Sequence, residues 1–379
     1  MIKQKLIKNL SNIPGWCTNK KYIVLESDDW GSIRMPSNET KKELIQKEVL
    51  SSNKTSHFNL YDCLESNDDL LTLFDVLSEF TDKRGNHPVF TGLNVVANPD
   101  FEKIKRDDFK HYHYEPFNKT LKRYGKHDRV LDLWKEGAQK RLFVPQFHGR
   151  EHLNVTSWMK ALQNQSPKTR TAFEYGFWGF DPVPCGESSI TYQAAFDIDE
   201  PEEVEYLKSV VNEGIDLFKE LVGYAPEFFV PTNGSFNLAL LEKLKEKGIE
   251  YVLLDKLQKE PLGHGKFKTH FRYLGKKSKF DQIFLSRNAA FEPSAGGKDW
   301  IDSCLNDIST AFRWRKPATI STHRVNYIGY LDPKNRDNGI KQLRELLKQI
   351  LKKWPEVEFI TSVELGHLIR QSGYQSSAK

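Results

Sequence analysis

Short apolar runs recur along the chain, with longer amphipathic stretches between them. Tyr22–Glu26, Pro88–Asn94, Leu142–Phe147, Glu227–Pro231, Tyr251–Leu254, Gln282–Ser286, Ala318–Thr322 and Val357–Thr361 are rich in aromatic and β-branched residues and do not alternate cleanly with polar ones. Such runs suit strands buried on both faces, as in a parallel sheet. Between them the apolar spacing lengthens to a helical period, predicting helices over Asp68–Phe80, Arg129–Lys140, Pro201–Val222, Leu238–Lys247, Lys298–Phe312 and Gly339–Trp354. Start signals stand before three of them, at Ser66-Asn-Asp-Asp69, Asn237 and Asn338, and Gly248 is placed to close the fourth. Strands alternating with helices predict βαβ units and an α/β fold, a distorted (β/α) barrel of about seven strands. Segments near 99–128 and 154–200 read as inserted loops on the mouth of that barrel. No repeat and no Pro/Gly/Ser linker divides the chain, so a single domain over 1–370 is expected, followed by a disordered tail at 371–379.

Composition narrows the function classes. The 379 residues are 38% hydrophobic and 28% charged, and mean hydropathy is −0.60. No apolar stretch approaches the roughly 20 residues that span a bilayer, so no transmembrane segment is expected. Met1-Ile-Lys-Gln-Lys-Leu-Ile-Lys8 lacks the apolar core and cleavage site of a signal peptide, which favours a cytoplasmic location, although a chain trimmed of its leader would read the same. The net charge of +5 is carried by Lys and Arg that read as interleaved with acids, so no nucleic-acid partner is expected. Cys17, Cys63, Cys185 and Cys304 are widely spaced, fitting reduced structural thiols rather than a thiolate metal site or redox pair.

The candidate chemistry lies where strands end. Glu26-Ser-Asp-Asp-Trp-Gly31 follows the first apolar run, and His148-Gly-Arg-Glu-His152 follows the third. An Asp-Asp pair alone equally marks a turn or a helix cap. After a buried strand, one carboxylate could bind a metal and its neighbour accept a proton from water. Histidines four apart share one face of a helical turn and could ligate jointly. Asp29, His148 and His152 together would suit Zn²⁺ with an open coordination position. His323, at the end of Ala318–Thr322, is a candidate general acid. Arg287, after Gln282–Ser286, could hold a catalytic carboxylate or a substrate anion. Trp30, Asn233 in Pro231-Thr-Asn-Gly234, and Trp178 are candidate substrate contacts. Tyr112, Tyr114, Phe117, Phe173, Tyr175, Phe177 and Phe180 could extend Trp178 into a glycan platform or simply pack the insertions onto the barrel. His111 and His113 are weaker candidate ligands.

These motifs resemble the polysaccharide deacetylase family, carbohydrate esterase family 4, along Tyr22 to Thr361. The resemblance implies that Asp28 is the base, Asp29, His148 and His152 are the metal ligands, and His323 is the general acid. It implies a distorted (β/α) barrel and an acetylated sugar or polysaccharide precursor as substrate. Two departures mark the chain as divergent. Phe229-Val-Pro-Thr-Asn-Gly234 lacks the arginine of the family's third motif, a role Arg287 could take over. The tryptophan-bearing fourth motif is not recognisable, with Asp255 near the place of its aspartate. Three rival readings stand beside this one. His148-Gly-Arg-Glu-His152 fits the H-x-x-E-H pattern of a zinc metallopeptidase with Glu151 as base. A non-catalytic glycan-binding barrel fits the missing arginine. A glycosidase would need two carboxylates flanking the scissile bond.

Overall fold

The run Tyr22–Trp30 is buried along its whole length, because it is the centre of a parallel sheet with covered faces. In this computed structural model, which describes residues 2–51 and 55–375, the strands in chain order are β1 (Tyr22–Trp30), β2 (Phe90–Val95), β3 (Ala97–Pro99), β4 (Tyr114–Pro116), β5 (Phe143–Gly149), β6 (Phe228–Phe229), β7 (Tyr251–Leu253), β8 (Leu257–Pro261), β9 (Phe267–Phe271), β10 (Ile283–Leu285), β11 (Ala289–Ala290), β12 (Ala318–His323) and β13 (Glu358–Phe359). Nine of them form one sheet in the order β10-β7-β6-β5-β2-β1-β12-β11, with β13 also paired to β1. Pairings along this sheet are parallel. All eight predicted strands are present. β11 is too short to leave a sequence pattern, and the antiparallel pairs β3–β4 and β8–β9 lie outside the sheet.

The connection from β10 to β11 closes the architecture. These strands are the two ends of the sheet, yet only Ser286, Arg287 and Asn288 separate them. Four chain steps reach at most about 14 Å, so the sheet must curl until its edges nearly meet. It is a curled half-barrel, an α/β form of the distorted (β/α) barrel. Asn288 fastens this seam: its side chain donates to the Pro317 carbonyl (2.9 Å) and accepts from the Thr319 amide (3.0 Å). The same short link brings Arg287 to the mouth.

Helices cover the sheet where predicted, with small shifts at their ends. Ser66 and Asp69 form a reciprocal capping box, and Asn237 accepts from the Ala239 amide (2.9 Å). The last long helix runs Pro333–Lys353 and starts at Asp332, whose side chain caps Lys334. Asn338 is therefore internal to it. Asp332-Pro333 is the stronger start, since proline at the first helical position sacrifices no hydrogen bond. The 154–200 insertion builds helices Val155–Gln163 and Pro167–Glu174 and a second apolar cluster with Met35, Leu44 and Phe109. Gln371 ends the helix Ser362–Gln371, and Tyr374 packs beside Gly275; the rest of the predicted tail, 376–379, lies outside the described residues. No helix among the described residues is long and apolar enough to cross a membrane. The four cysteines are free thiols.

Candidate active site

In a regular strand, neighbouring side chains point to opposite faces, so Asp28 and Asp29 should diverge. The register of β1 on β2 instead shifts between Ser27 and Trp30, and Asp29 takes a left-handed backbone with φ 78°. This bulge lets both carboxylates line the same cavity. Aspartate is among the few non-glycine residues that tolerate that conformation, at a cost on the order of 1 kcal/mol. Gly31 completes the turn at φ 84°, and a Cβ there would lie 2.4 Å from the Val95 carbonyl oxygen.

His148 lies in β5 and His152 follows a turn through Gly149. The pair converges from a strand end, not from the helical turn that its spacing suggested. Asp29 Oδ1 lies 2.9 Å from His152 Nε2 and 3.6 Å from His148 Nε2. The Nδ1–H of His148 donates to the Val230 carbonyl (2.8 Å), which fixes the tautomer and leaves Nε2 with its lone pair free. Among the described residues, His148 Nε2 and His152 Nδ1 are buried without a hydrogen-bond partner. Burial pushes the His152 imidazolium down to about 4, against the opposing pull of Asp29, so the ring is neutral and able to ligate. Burial alone would raise the Asp29 carboxyl, but His152, His148 and Arg34 hold it well below its usual value. Arg34 approaches the other Asp29 oxygen (3.4 Å) and lies over Trp178, whose ring stacks on His152. One ligand atom from each of Asp29, His148 and His152 lies within 4.8 Å of the others. One carboxylate, two buried imidazoles and the orphaned Nε2 of His148 fit a divalent cation such as Zn²⁺.

The neighbouring carboxylate has different company. Glu26 and Asp28 are two apart on β1 and share a face. Arg287 reaches both from the seam: Nη1 and Nη2 grip the two oxygens of Asp28, and Nε donates to Glu26 (2.6 Å). Ser362 donates to the other Glu26 oxygen (2.7 Å). Burial works against the charge on Asp28, but Arg287 outweighs it and lowers the carboxyl from its usual value. Opposite Asp28 in register stands His323. Its Nδ1–H donates to Glu292 (2.6 Å), and its Nε2 lies 3.8 Å from Asp28. Burial would depress His323; the Glu292 carboxylate overrides this and lifts it to about 10. Asn326 donates to the other Glu292 oxygen (2.6 Å).

A cavity of about 750 Å³ joins these groups. Asp28, Asp29, His148, His152, Arg287 and His323 all line it, as does Asn233. Trp30 and Trp178 do not. Trp30 is fully buried, donates to Ser27 Oγ (2.9 Å) and packs edge-on against Phe143, so it belongs to the core. Trp178 is also buried and backs His152. Phe173, Phe177 and Phe180 are buried in the insertion's cluster, so packing, not a sugar platform, accounts for them. His111 and His113 both approach Asp107, outside the Asp29 cluster. Glu151 is buried and gripped by Arg150 (2.6 and 2.8 Å), which removes it from the cavity. Sequence reasoning missed Glu292, Arg34 and the role of Glu26. An acid inside an apolar run was a visible signal for Glu26; Glu292 follows a two-residue strand and had none.

Residues 194–290 match glycosyl hydrolase family 57. No curated protein matches the chain. Among solved structures, a protein described as a polysaccharide deacetylase from Mycobacterium smegmatis is similar at 10% identity, over 97% of this chain and 96% of that one, with a TM-score of 0.44. The α-amylase AmyC from Thermotoga maritima is similar at 10% identity, over 94% of this chain and 75% of its own, with a TM-score of 0.46. A protein described as a polysaccharide deacetylase from Pseudomonas aeruginosa gives 10% identity, 94% of both chains and a TM-score of 0.45.

Proposed function

We propose that the protein is a metal-dependent carbohydrate deacetylase, removing an N- or O-linked acetyl group from a sugar or polysaccharide precursor. One observation carries this reading: the Asp29, His148 and His152 cradle shares a cavity with an Arg287-held carboxylate and a Glu292-held histidine. A divalent cation in the cradle would supply Lewis acidity toward an acyl oxygen and acidify a water. Asp28, kept ionised and oriented by Arg287, takes the proton of the attacking water. His323, kept protonated by Glu292, delivers a proton to the departing nitrogen or oxygen. Bond cleavage releases acetate and the free amine or hydroxyl. The metallopeptidase reading is less well supported, because Glu151 is buried and, unlike Asp28, does not line the cavity.

The glycosyl hydrolase match favours a second reading. Within residues 194–290, Asp255 is the acid that lines the cavity, and burial raises its carboxyl despite Arg287. Glycosidic cleavage would pair Asp255 as acid with Asp28. The two readings separate in one assay. Zinc-loaded protein is incubated with a panel of acetylated amino sugars, O-acetylated glycans and unsubstituted glucans. Deacetylation predicts free acetate with chain length unchanged; shortened glucans without acetate would overturn it.

A further inference from the structure

The β8–β9 hairpin presents an unusual surface. Its inner side is pinned to the barrel: Gln258 donates to the Phe236 carbonyl (3.0 Å), and Glu260 accepts from the Leu238 amide (3.0 Å). On the other side Leu257 pairs with Phe271, Lys259 with Thr269, and Pro261 with Phe267. Leu257, Phe267 and Phe271 are 67%, 55% and 51% exposed, although solvent normally meets polar side chains on such a face. Charge is concentrated on the same segment. Residues 256–280 hold eight Lys or Arg and one acid, Glu260, a balance of +7 that exceeds the +5 of the entire chain. Lys and Arg that read as evenly interleaved over the whole sequence therefore gather here. The helix Ile2–Ser11 adjoins the hairpin, since Lys256 donates to the Ser11 carbonyl (3.0 Å). That helix has no acid in its first turn, and it exposes Leu6, Ile7 and Leu10.

We propose that this outer hairpin face, with the helix Ile2–Ser11 near its base, docks on a membrane surface rich in anionic phospholipid. Exposed Leu and Phe with Lys259 on the same face and exposed Lys266 and Lys268 at the turn and edge suit the boundary between acyl chains and headgroups: apolar side chains insert while the lysines reach the phosphates. A second copy of the chain is a poor occupant, because two identical faces of this charge repel. A nucleic acid would use the lysines but leave the aliphatic groups unburied. Lys8 and Lys256 line the active-site cavity, so docking would bring the rim of the cleft to the membrane.

Flotation of the full chain with phosphatidylcholine vesicles, with and without phosphatidylglycerol, tests this. Binding is expected only with the anionic lipid, weakening as salt is raised. Lys259→Glu/Lys266→Glu/Lys268→Glu should reduce it on the order of a hundredfold. Leu257→Ser/Phe267→Ser/Phe271→Ser should also abolish it, with melting temperature and soluble-substrate turnover as checks on folding; if that variant unfolds, the lysine variant decides alone. Failure to float with anionic vesicles, equal binding to neutral ones, unchanged binding by the lysine variant, or retention only by a soluble polyanion or nucleic acid would each overturn the proposal.

Discussion

Two histidines in one cavity have opposite proton affinities. His152 sits at about 4 and His323 at about 10. His152 is buried and His323 half-buried, and burial alone disfavours the charged ring of either. The difference lies in the carboxylate each one meets. Glu292 accepts the Nδ1–H of His323 and is itself oriented by Asn326, so its charge serves the imidazolium. Asp29 lies between two imidazoles and beside Arg34, so its charge is shared and too little falls on His152 to keep it protonated. Neutral rings can ligate a metal and a cationic ring can donate a proton. The division of labour follows from second partners rather than from the histidines themselves.

Removing the proposed proton donor should separate the two proposed roles most sharply. His323→Gln is expected to lower kcat by about 10²–10⁴-fold and leave zinc content by elemental analysis unchanged. A parallel loss of zinc would mean that His323 belongs to the cradle. A smaller effect is expected at Glu292, where the sign can be worked out. With the carboxylate present, His323 stays protonated until pH approaches about 10, and activity should fall as pH rises through that range. In Glu292→Gln the raising charge is gone and burial remains, so the alkaline limb should move down by at least about one pH unit. An unmoved limb, read from kcat against pH or from the imidazole NMR titration, would detach Glu292 from the acid. The smallest catalytic effect is expected at Glu151. Glu151→Gln should leave turnover per folded molecule within a few fold while costing about 2 kcal/mol of stability through Arg150, as read by denaturant unfolding. Complete loss of turnover without loss of stability would restore the peptidase reading.

Much of the barrel was legible because a buried parallel strand needs a continuous apolar run, and such runs are conspicuous. What escaped depended on contacts the pattern does not encode. Ala289–Ala290 is two residues long, and its place at the far edge of the sheet follows only from pairing with β12. Pairing His148 with His152 needed no helix; a strand end and a glycine turn gave the same convergence. The left-handed Asp29 has no sequence signature, because an Asp-Asp pair after a strand is compatible with several backbones. Trp30 and Trp178 mislead in another way: aromatic residues next to catalytic motifs attract a substrate role, yet rings of that size are also the best means of fixing those motifs from behind. Arg287 was placed near the chemistry by its position after a strand, but its grip on both Glu26 and Asp28 depends on the curl that brings β10 and β11 together.

The central claim is that two separate pieces of chain, through Asp29, His148 and His152, hold one divalent ion. Metal-free protein titrated with zinc against a competing chelator tests it most directly. The account predicts one tight equivalent for the unaltered chain, and affinity weakened by at least about a hundredfold in each of Asp29→Ala, His148→Ala and His152→Ala, with His111→Ala and His113→Ala unaffected. Equal zinc affinity in all of these variants would contradict it.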